Sequence, residues 1–205
     1  MFGQQSLLMD QKTEPEIDIS GLAYIPDFIY VQEQDSLLAQ IDQYPWLADL
    51  KRRVQHYGYK YDYKVRAVGN DAYLGPLPDW LLLLSKKLHD GRIFSSVPDQ
   101  AIVNEYLPGQ GISAHIDCVP CFADTIASLS LGSPCIMEFS NPKTGEKKPF
   151  VLENRSLIVL SGPARYEWQH AIPARKSDII GGVKTERARR VSLTFRNVIL
   201  NQAAA

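Results

Sequence analysis

The chain predicts an α+β, mainly β domain of the sandwich, jelly-roll or small-barrel kind, with helices ahead of the β core. Three observations carry this expectation. From residue 100 onward, AIVNEY, TIASLSL, CIMEFS, KKPFVL, SLIVLS and RVSLTFR are short segments rich in β-formers. Turn signals separate them: P-G at 108, G-S-P at 132, N-P-K-T-G at 141 and G-P at 162. Before residue 100 the apolar spacing is helical, and 205 residues at 45% apolar and 22% charged content suffice for one buried core.

The elements follow in order. Residues 1–18 are polar and aperiodic, so a flexible N-terminal arm is expected, followed by a single domain over 19–200. Leu37, Leu38 and Ile41 form one face of a helix over Gln32 to Tyr44. Pro78 to His89, PDWLLLLSKKLH, reads as a second helix, with proline in the first turn and cations near the end. His89 there complements the helix dipole. No basic region followed by an apolar stretch opens the chain, and runs such as Leu81–Leu84 are too short to span a bilayer. A cytoplasmic monomer with no membrane association is therefore expected. Three cysteines, an odd number, argue against a disulfide framework and for a reducing compartment. The net charge of −1 gives no global pull toward nucleic acid, so any such affinity must be local.

A-H-I-D-C-V-P-C, residues 114–121, admits two metals. His115, Cys118 and Cys121 have the look of a zinc or iron–sulfur corner. A closed thiolate site usually draws on two separated pairs, however, and the remaining thiol, Cys135, sits inside the apolar CIMEF. Alternatively, His115 and Asp117 share one face of a strand, and His170 in YEWQHAIP can supply a third ligand. Two imidazoles and a carboxylate leave open positions and suit Fe(II). His-x-Asp also occurs by chance, so the spacing alone leaves both readings standing.

RVSLTFR at 190–196 alternates: Val191, Leu193 and Phe195 on one face, Arg190, Ser192, Thr194 and Arg196 on the other. A solvated strand face explains this, and so does a site for a dicarboxylate, which guanidinium groups bind in bidentate fashion. The two arginine Cα atoms lie about 20 Å apart on an extended strand, so only inward-leaning side chains reach one small ligand. Asn104 and Tyr106 in VNEY share a face and can add hydrogen bonds.

Residues 51–66, KRRVQHYGYKYDYKVR, hold six Lys or Arg against one Asp. On a strand, Tyr57, Tyr59, Tyr61 and Tyr63 would share one face. Cations interleaved with aromatics can grip phosphates and stack bases, with Arg53, His56, Tyr57, Tyr59 and Tyr61 as candidate substrate contacts. An amphipathic strand that buries its tyrosines explains the pattern as well. Segment 175–190, with six basic and two acidic residues, is a weaker candidate.

NEYLPGQGISAHID at 104–117, His170 in GPARYEWQH and RVSLTFR at 190–196 together resemble the AlkB family of Fe(II)- and 2-oxoglutarate-dependent dioxygenases. The resemblance runs over residues 20–198. It implies a double-stranded β-helix (jelly-roll) core with the N-terminal helices packed outside. It also implies Fe(II) held by His115, Asp117 and His170, with 2-oxoglutarate as cosubstrate and O2 as oxidant. Arg190 would hold the distal carboxylate, and Arg196, Asn104 and Tyr106 would contact the same cosubstrate. Ser192 stands where many members have Asn. Cys118 and Cys121 would be neighbours of the iron rather than ligands. The implied chemistry is hydroxylation of a C–H bond, and of an N-methyl group when bases are dealkylated. Residues 51–66 correspond to the family's lid over a flipped base.

DNA-repairing members often carry a second Asp two places beyond the iron-binding one, where this chain has Val119. FADTIASLSLGS at 122–133 looks closer to homologues that hydroxylate modified wobble uridines in tRNA. Those carry further RNA-binding or methyltransferase domains, and a chain of this length looks more like a bacterial AlkB protein. Dealkylation of N-alkylated bases in DNA or RNA is thus the first expectation, wobble-uridine hydroxylation the second and protein modification the third. Trp168 reads as core packing. Asp124 is either a partner for Arg165 or a strand-start residue.

Overall fold

The computed structural model describes residues 18–48, 50–69 and 71–200, so the expected arm lies, apart from Asp18, outside the described residues. Strands and helices are numbered in chain order. The larger sheet runs β1 (Leu22–Ile25), β8 (Leu157–Leu160), β5 (Ile126–Gly132), β12 (Arg190–Arg196), β3 (Gln100–Tyr106) and β2 (Arg53–Tyr57). The smaller sheet runs β4 (Ile112–His115), β9 (Gln169–Ile172), β6 (Cys135–Ser140) and β7 (Lys147–Leu152), and β10 (Ser177–Ile180) pairs with β11 (Val183–Glu186). All of these pairings are antiparallel. The result is the expected jelly roll.

Period-two patterning assigns the faces. Ala101 and Val103 of β3, Ala127, Leu129 and Leu131 of β5, and Val191, Leu193 and Phe195 of β12 share one core cluster. Into the same cluster go Leu37 and Ile41 of α1 (Val31–Ile41) and Leu81, Leu84 and Leu88 of α2 (Asp79–Asp90). Both helices therefore pack outside the larger sheet, each buried Leu or Ile stabilising by about 1.5–3 kcal/mol. Helix α1 starts where Glu33 accepts the Tyr30 N–H at 2.8 Å, one residue before the expected start. Pro78 is the residue before α2 rather than inside it, its φ of −62° already set for the chain entering the helix.

The intervening residues of the same strands point the other way. Ile102, Asn104 and Tyr106, then Ile126 and Ser128, then Arg190, Ser192, Thr194 and Arg196 line a cavity between the two sheets. A second core cluster takes in Met137 and Phe139 of β6 and Phe150 and Leu152 of β7, and Met137 also lines the cavity.

One expectation fails. The four tyrosines do not share a strand face, because β2 ends at Tyr57. Gly58 follows with φ +75°, and a Cβ there would lie 1.8 Å from the Asp99 carbonyl oxygen. Only glycine fits so close an approach, and it turns the chain out of the ladder. Beyond it the backbone makes isolated bridges, Tyr59 with Tyr73 and Asp62 with Ala67. A second correction concerns the cysteines: Cys118 and Cys121 form a disulfide, and Cys135 is the buried free thiol. An odd total says nothing against one local bridge between residues three apart.

Candidate metal centre and its cavity

His115 ends β4 directly opposite His170 of β9, and Asp117 lies two residues further on. One ligand atom from each of the three falls within 4.8 Å of the others. His170 Nε2 and Asp117 Oδ2 stand 3.6 Å apart, too far for a hydrogen bond and suited to two donors sharing a cation. The His115 ring nitrogen Nδ1 is 2.8 Å from the Ser113 carbonyl oxygen, which can only accept. Nδ1 must therefore carry the proton, leaving the Nε2 lone pair free.

Burial, then the proximity of His115, pushes the His170 imidazole down to about 4, so it is neutral near pH 7. Burial opposes ionisation of Asp117 too. The Arg196 guanidinium, with lesser help from His170 and His115, outweighs it and holds the carboxyl well below the usual range. Arg196 donates through Nη2 to Asp117 Oδ1 and through Nη1 to Gln100 Oε1 at 3.3 Å. Two imidazoles and a carboxylate, all buried or partly buried, form a donor set that fits Fe(II). His170 Nδ1 is buried without a partner.

The cavity above them is about 630 Å³. Arg190, 3% exposed, sits at one end over the Tyr106 ring at 5.4 Å. Its Nη2 donates to Ser130 Oγ at 2.8 Å, while Nε and Nη1 are buried without acceptors. A buried cation with two idle donors is costly unless an anion completes it. A carboxylate of 2-oxoglutarate matches that demand. Asn104 Oδ1 accepts from Arg52 Nε at 2.9 Å, and the Ser192 hydroxyl shares a 2.7 Å hydrogen bond with Ser128.

At the mouth the lining consists of Lys51, Arg52, Arg66, Tyr61 and Tyr63. Tyr61 meets Tyr63 edge-on at 5.1 Å and Phe122 at 5.7 Å, and the Arg52 guanidinium lies 5.9 Å over Tyr63. Of the substrate candidates, only Tyr61 lines the cavity. Arg53 turns to the helix side, where it grips Glu105 through two bonds of 2.6 and 2.8 Å. Tyr57 packs on Trp80 and Tyr59 on Tyr73, while His56 lies behind Tyr63 at 5.7 Å between ring centres. Most cations of segment 175–190 are already paired: Arg175 and Arg187 on Asp178 and Lys184 on Glu186 within it, and Arg189 on Asp42 and Glu105 outside it.

The sequence does not single out Arg52, and it marks Tyr63 only as one of the four alternating tyrosines, because nothing local distinguishes them from their neighbours. Ser128 and Ser130 carried a signal, the polar face of I-A-S-L-S-L, that matches the arginine face of β12. Arg165 carried none. It is 2% exposed and donates to the carbonyls of Asp117, at 2.9 Å, and Cys118, at 3.2 Å, clamping the ligand's own backbone. Asp124 is not its hydrogen-bond partner; that carboxylate accepts the Gly162 N–H at 3.4 Å. Trp168 is buried away from the cavity, as expected.

Residues 21–196 match the family model of the 2OG-Fe(II) oxygenase superfamily. An "Alkylated DNA repair protein ALKBH8 homolog" of Arabidopsis thaliana is 40% identical over 90% of this chain and 60% of its own length. A "tRNA (carboxymethyluridine(34)-5-O)-methyltransferase alkbh8" of Xenopus tropicalis is 36% identical over 87% of this chain and 32% of its own. The chain thus spans less than two thirds of the Arabidopsis relative and about one third of the Xenopus one. In fold it resembles the solved structure of OsALKBH1, with a TM-score of 0.65 at 17% identity, covering 89% of this chain and 99% of that one.

Proposed function

Because the chain belongs to the 2OG-Fe(II) oxygenase superfamily, in its AlkB family, we propose that it hydroxylates a C–H bond on a nucleobase, with a side-chain-bearing uridine of tRNA as first candidate. His115, Asp117 and His170 would hold Fe(II), and Arg190, Arg196, Asn104 and Tyr106 would hold 2-oxoglutarate, with Ser192 beside them. Bound there, iron, cosubstrate and O2 supply oxidation of the C–H bond, 2-oxoglutarate leaving as succinate and carbon dioxide. The chain's own work is placement. Ser113 fixes the His115 tautomer, burial keeps His170 unprotonated, Arg196 keeps Asp117 ionised, and the idle donors of Arg190 await a carboxylate.

The charge at the mouth carries the choice of base. With Arg190 and Arg196 assigned to the cosubstrate, Lys51, Arg52 and Arg66 remain, and Asp117 is the one acid among the described residues lining the cavity. The position two beyond it is Val119, half exposed and without charge. A base made cationic by alkylation, such as 1-methyladenine or 3-methylcytosine, finds no counter-charge here. A neutral or anionic uridine does not need one. Tyr61 and Tyr63 would stack the base and the cations would hold phosphates.

The test is the mass of the product after incubation with Fe(II), ascorbate and 2-oxoglutarate. Oligonucleotides carrying 5-substituted uridine are expected to gain one oxygen, and those carrying 1-methyladenine or 3-methylcytosine to stay unchanged. His115→Ala abolishes the gain. Loss of the methyl group from the cationic bases would instead establish dealkylation, the second reading, which the word "repair" in the name of the Arabidopsis relative favours.

A further inference from the structure

Immediately after the ligand Asp117, the chain turns through Cys118-Val119-Pro120-Cys121, closed by the Cys121 N–H on the Cys118 carbonyl at 3.2 Å. The two cysteines are joined as a disulfide, and both sulfurs face a single atom, the carbonyl oxygen of Arg66, at 3.3 and 3.6 Å. Arg66 belongs to the mouth of the cavity. It holds a left-handed φ of 54° at the end of a small loop that the Asp62–Ala67 bridge and the Asp62 side chain tie to itself. The same loop carries Tyr63, and Tyr61 immediately precedes it.

We infer that Cys118 and Cys121 form a reversible thiol–disulfide site whose oxidation state decides whether the tyrosine loop is hydrogen-bonded to the iron-side turn. The inference rests on the proposed function only for its effect on substrate. The chemistry is that of the donor. A thiol S–H can donate to the Arg66 carbonyl, and two thiols offer two donors; a disulfide offers none. With the bridge closed, the carbonyl faces two sulfur atoms that have no proton to give. With the bridge open, the loop is pinned.

The metal side is insulated from this change. Arg165 holds the carbonyls of Asp117 and Cys118 through its own two donors, independent of the sulfurs. The switch therefore acts on the mouth and not on the ligand geometry.

Oxidation proceeds by thiol–disulfide exchange with glutathione disulfide. Cys118, which lines the cavity, attacks one sulfur as its thiolate and releases one glutathione. Cys121 then attacks the Cys118 sulfur of the mixed disulfide and releases the second. Two protons leave the cysteine pair, and two electrons reduce one glutathione disulfide to two thiols. Excess reduced glutathione or a dithiol runs the sequence backward.

The experiment uses iron-loaded protein with 2-oxoglutarate under nitrogen, equilibrated in glutathione buffers from reducing to oxidising and then freed of glutathione. Free thiols are counted by alkylation and mass, and trypsin cleavage is timed at the exposed Lys64 and Arg66. The pair should convert within the buffer range, and cleavage should run about threefold faster when oxidised, the effect of losing one weak hydrogen bond. Cys118→Ser/Cys121→Ser keeps two O–H donors and should cleave slowly in every buffer. Cys118→Ala/Cys121→Ala should cleave fast in every buffer. Thiol counts that never change, or equal cleavage for the Ser and Ala pairs, overturn the inference. Neither readout needs turnover, so it can fail while the product assay succeeds, or the reverse.

Discussion

Two stretches of this chain alternate polar and apolar residues, and only one keeps the promise. In β12, Val191, Leu193 and Phe195 pack on the helices while Arg190, Ser192, Thr194 and Arg196 face the cavity. In residues 51–66 the alternation of tyrosines breaks after Tyr57, and the four rings end in three different places. The difference is the ladder. β12 is hydrogen-bonded along its length to β3 on one side and β5 on the other, which holds period two. The second stretch runs in a ladder with β3 alone, as far as Tyr57 against Ala101, and its other pairings are isolated bridges such as Val54 with Leu47. Alternation reports faces where neighbours enforce the pleat, and reports nothing once a glycine leads the chain out of it.

The sharpest way to test the contrast is to break the two faces of β12 separately. Arg190→Ala is expected to raise the KM for 2-oxoglutarate about 30-fold or more, equivalent to about 2 kcal/mol or more for removing one partner of a buried ion pair. Leu193→Ala, one strand but the opposite face, is expected to cost about 2–5 kcal/mol in urea unfolding and leave that KM unchanged. If both variants moved both quantities equally, the separation of faces would be wrong. Gly58→Ala attacks the point where the second stretch departs. The added methyl meets the Asp99 carbonyl, and about 1–3 kcal/mol of stability should disappear in the same unfolding assay.

Smaller effects sort the tyrosines. Tyr63→Ala is expected to raise the KM for nucleic acid about tenfold by removing a stacking surface. Tyr59→Ala, whose ring rests on Tyr73, should change it by less than about twofold. Equal effects would mean that the alternating reading was right after all. Least of all, Arg53→Ala should leave nucleic-acid binding within about twofold at any salt concentration, because its guanidinium serves Glu105 and not the mouth.

Much of the fold was legible because it depends on short-range pattern: β-former runs, turn residues and the apolar faces of Leu37–Ile41 and Leu81–Leu88. His115 and Asp117 could be proposed as ligands from spacing two apart, and the structure brings them to His170. What was not legible depends on distant partners. Arg53 and Arg52 are adjacent and chemically alike, yet Glu105 claims one and the cavity the other. The clamp by Arg165 spans 48 residues to Asp117 and has no local mark. The Cys118–Cys121 bridge was hidden behind an odd cysteine total.

The position of β12 also bears on how the molecule comes to exist. It is the last of the described strands in the chain and lies between β5 and β3, inside the larger sheet. Until it is synthesised, β3 and β5 have no common neighbour, and each presents an open backbone edge to other chains. Arg190 and Arg196 arrive on that same strand. A ribosome-bound chain halted before residue 190 would therefore hold His115, Asp117 and His170 and still lack Arg190 and Arg196, the two arginines proposed to receive the dicarboxylate. On the proposed assignment, competence for the cosubstrate and closure of the sheet would arise in one late event, in which a non-local strand inserts against its loop-closure entropy.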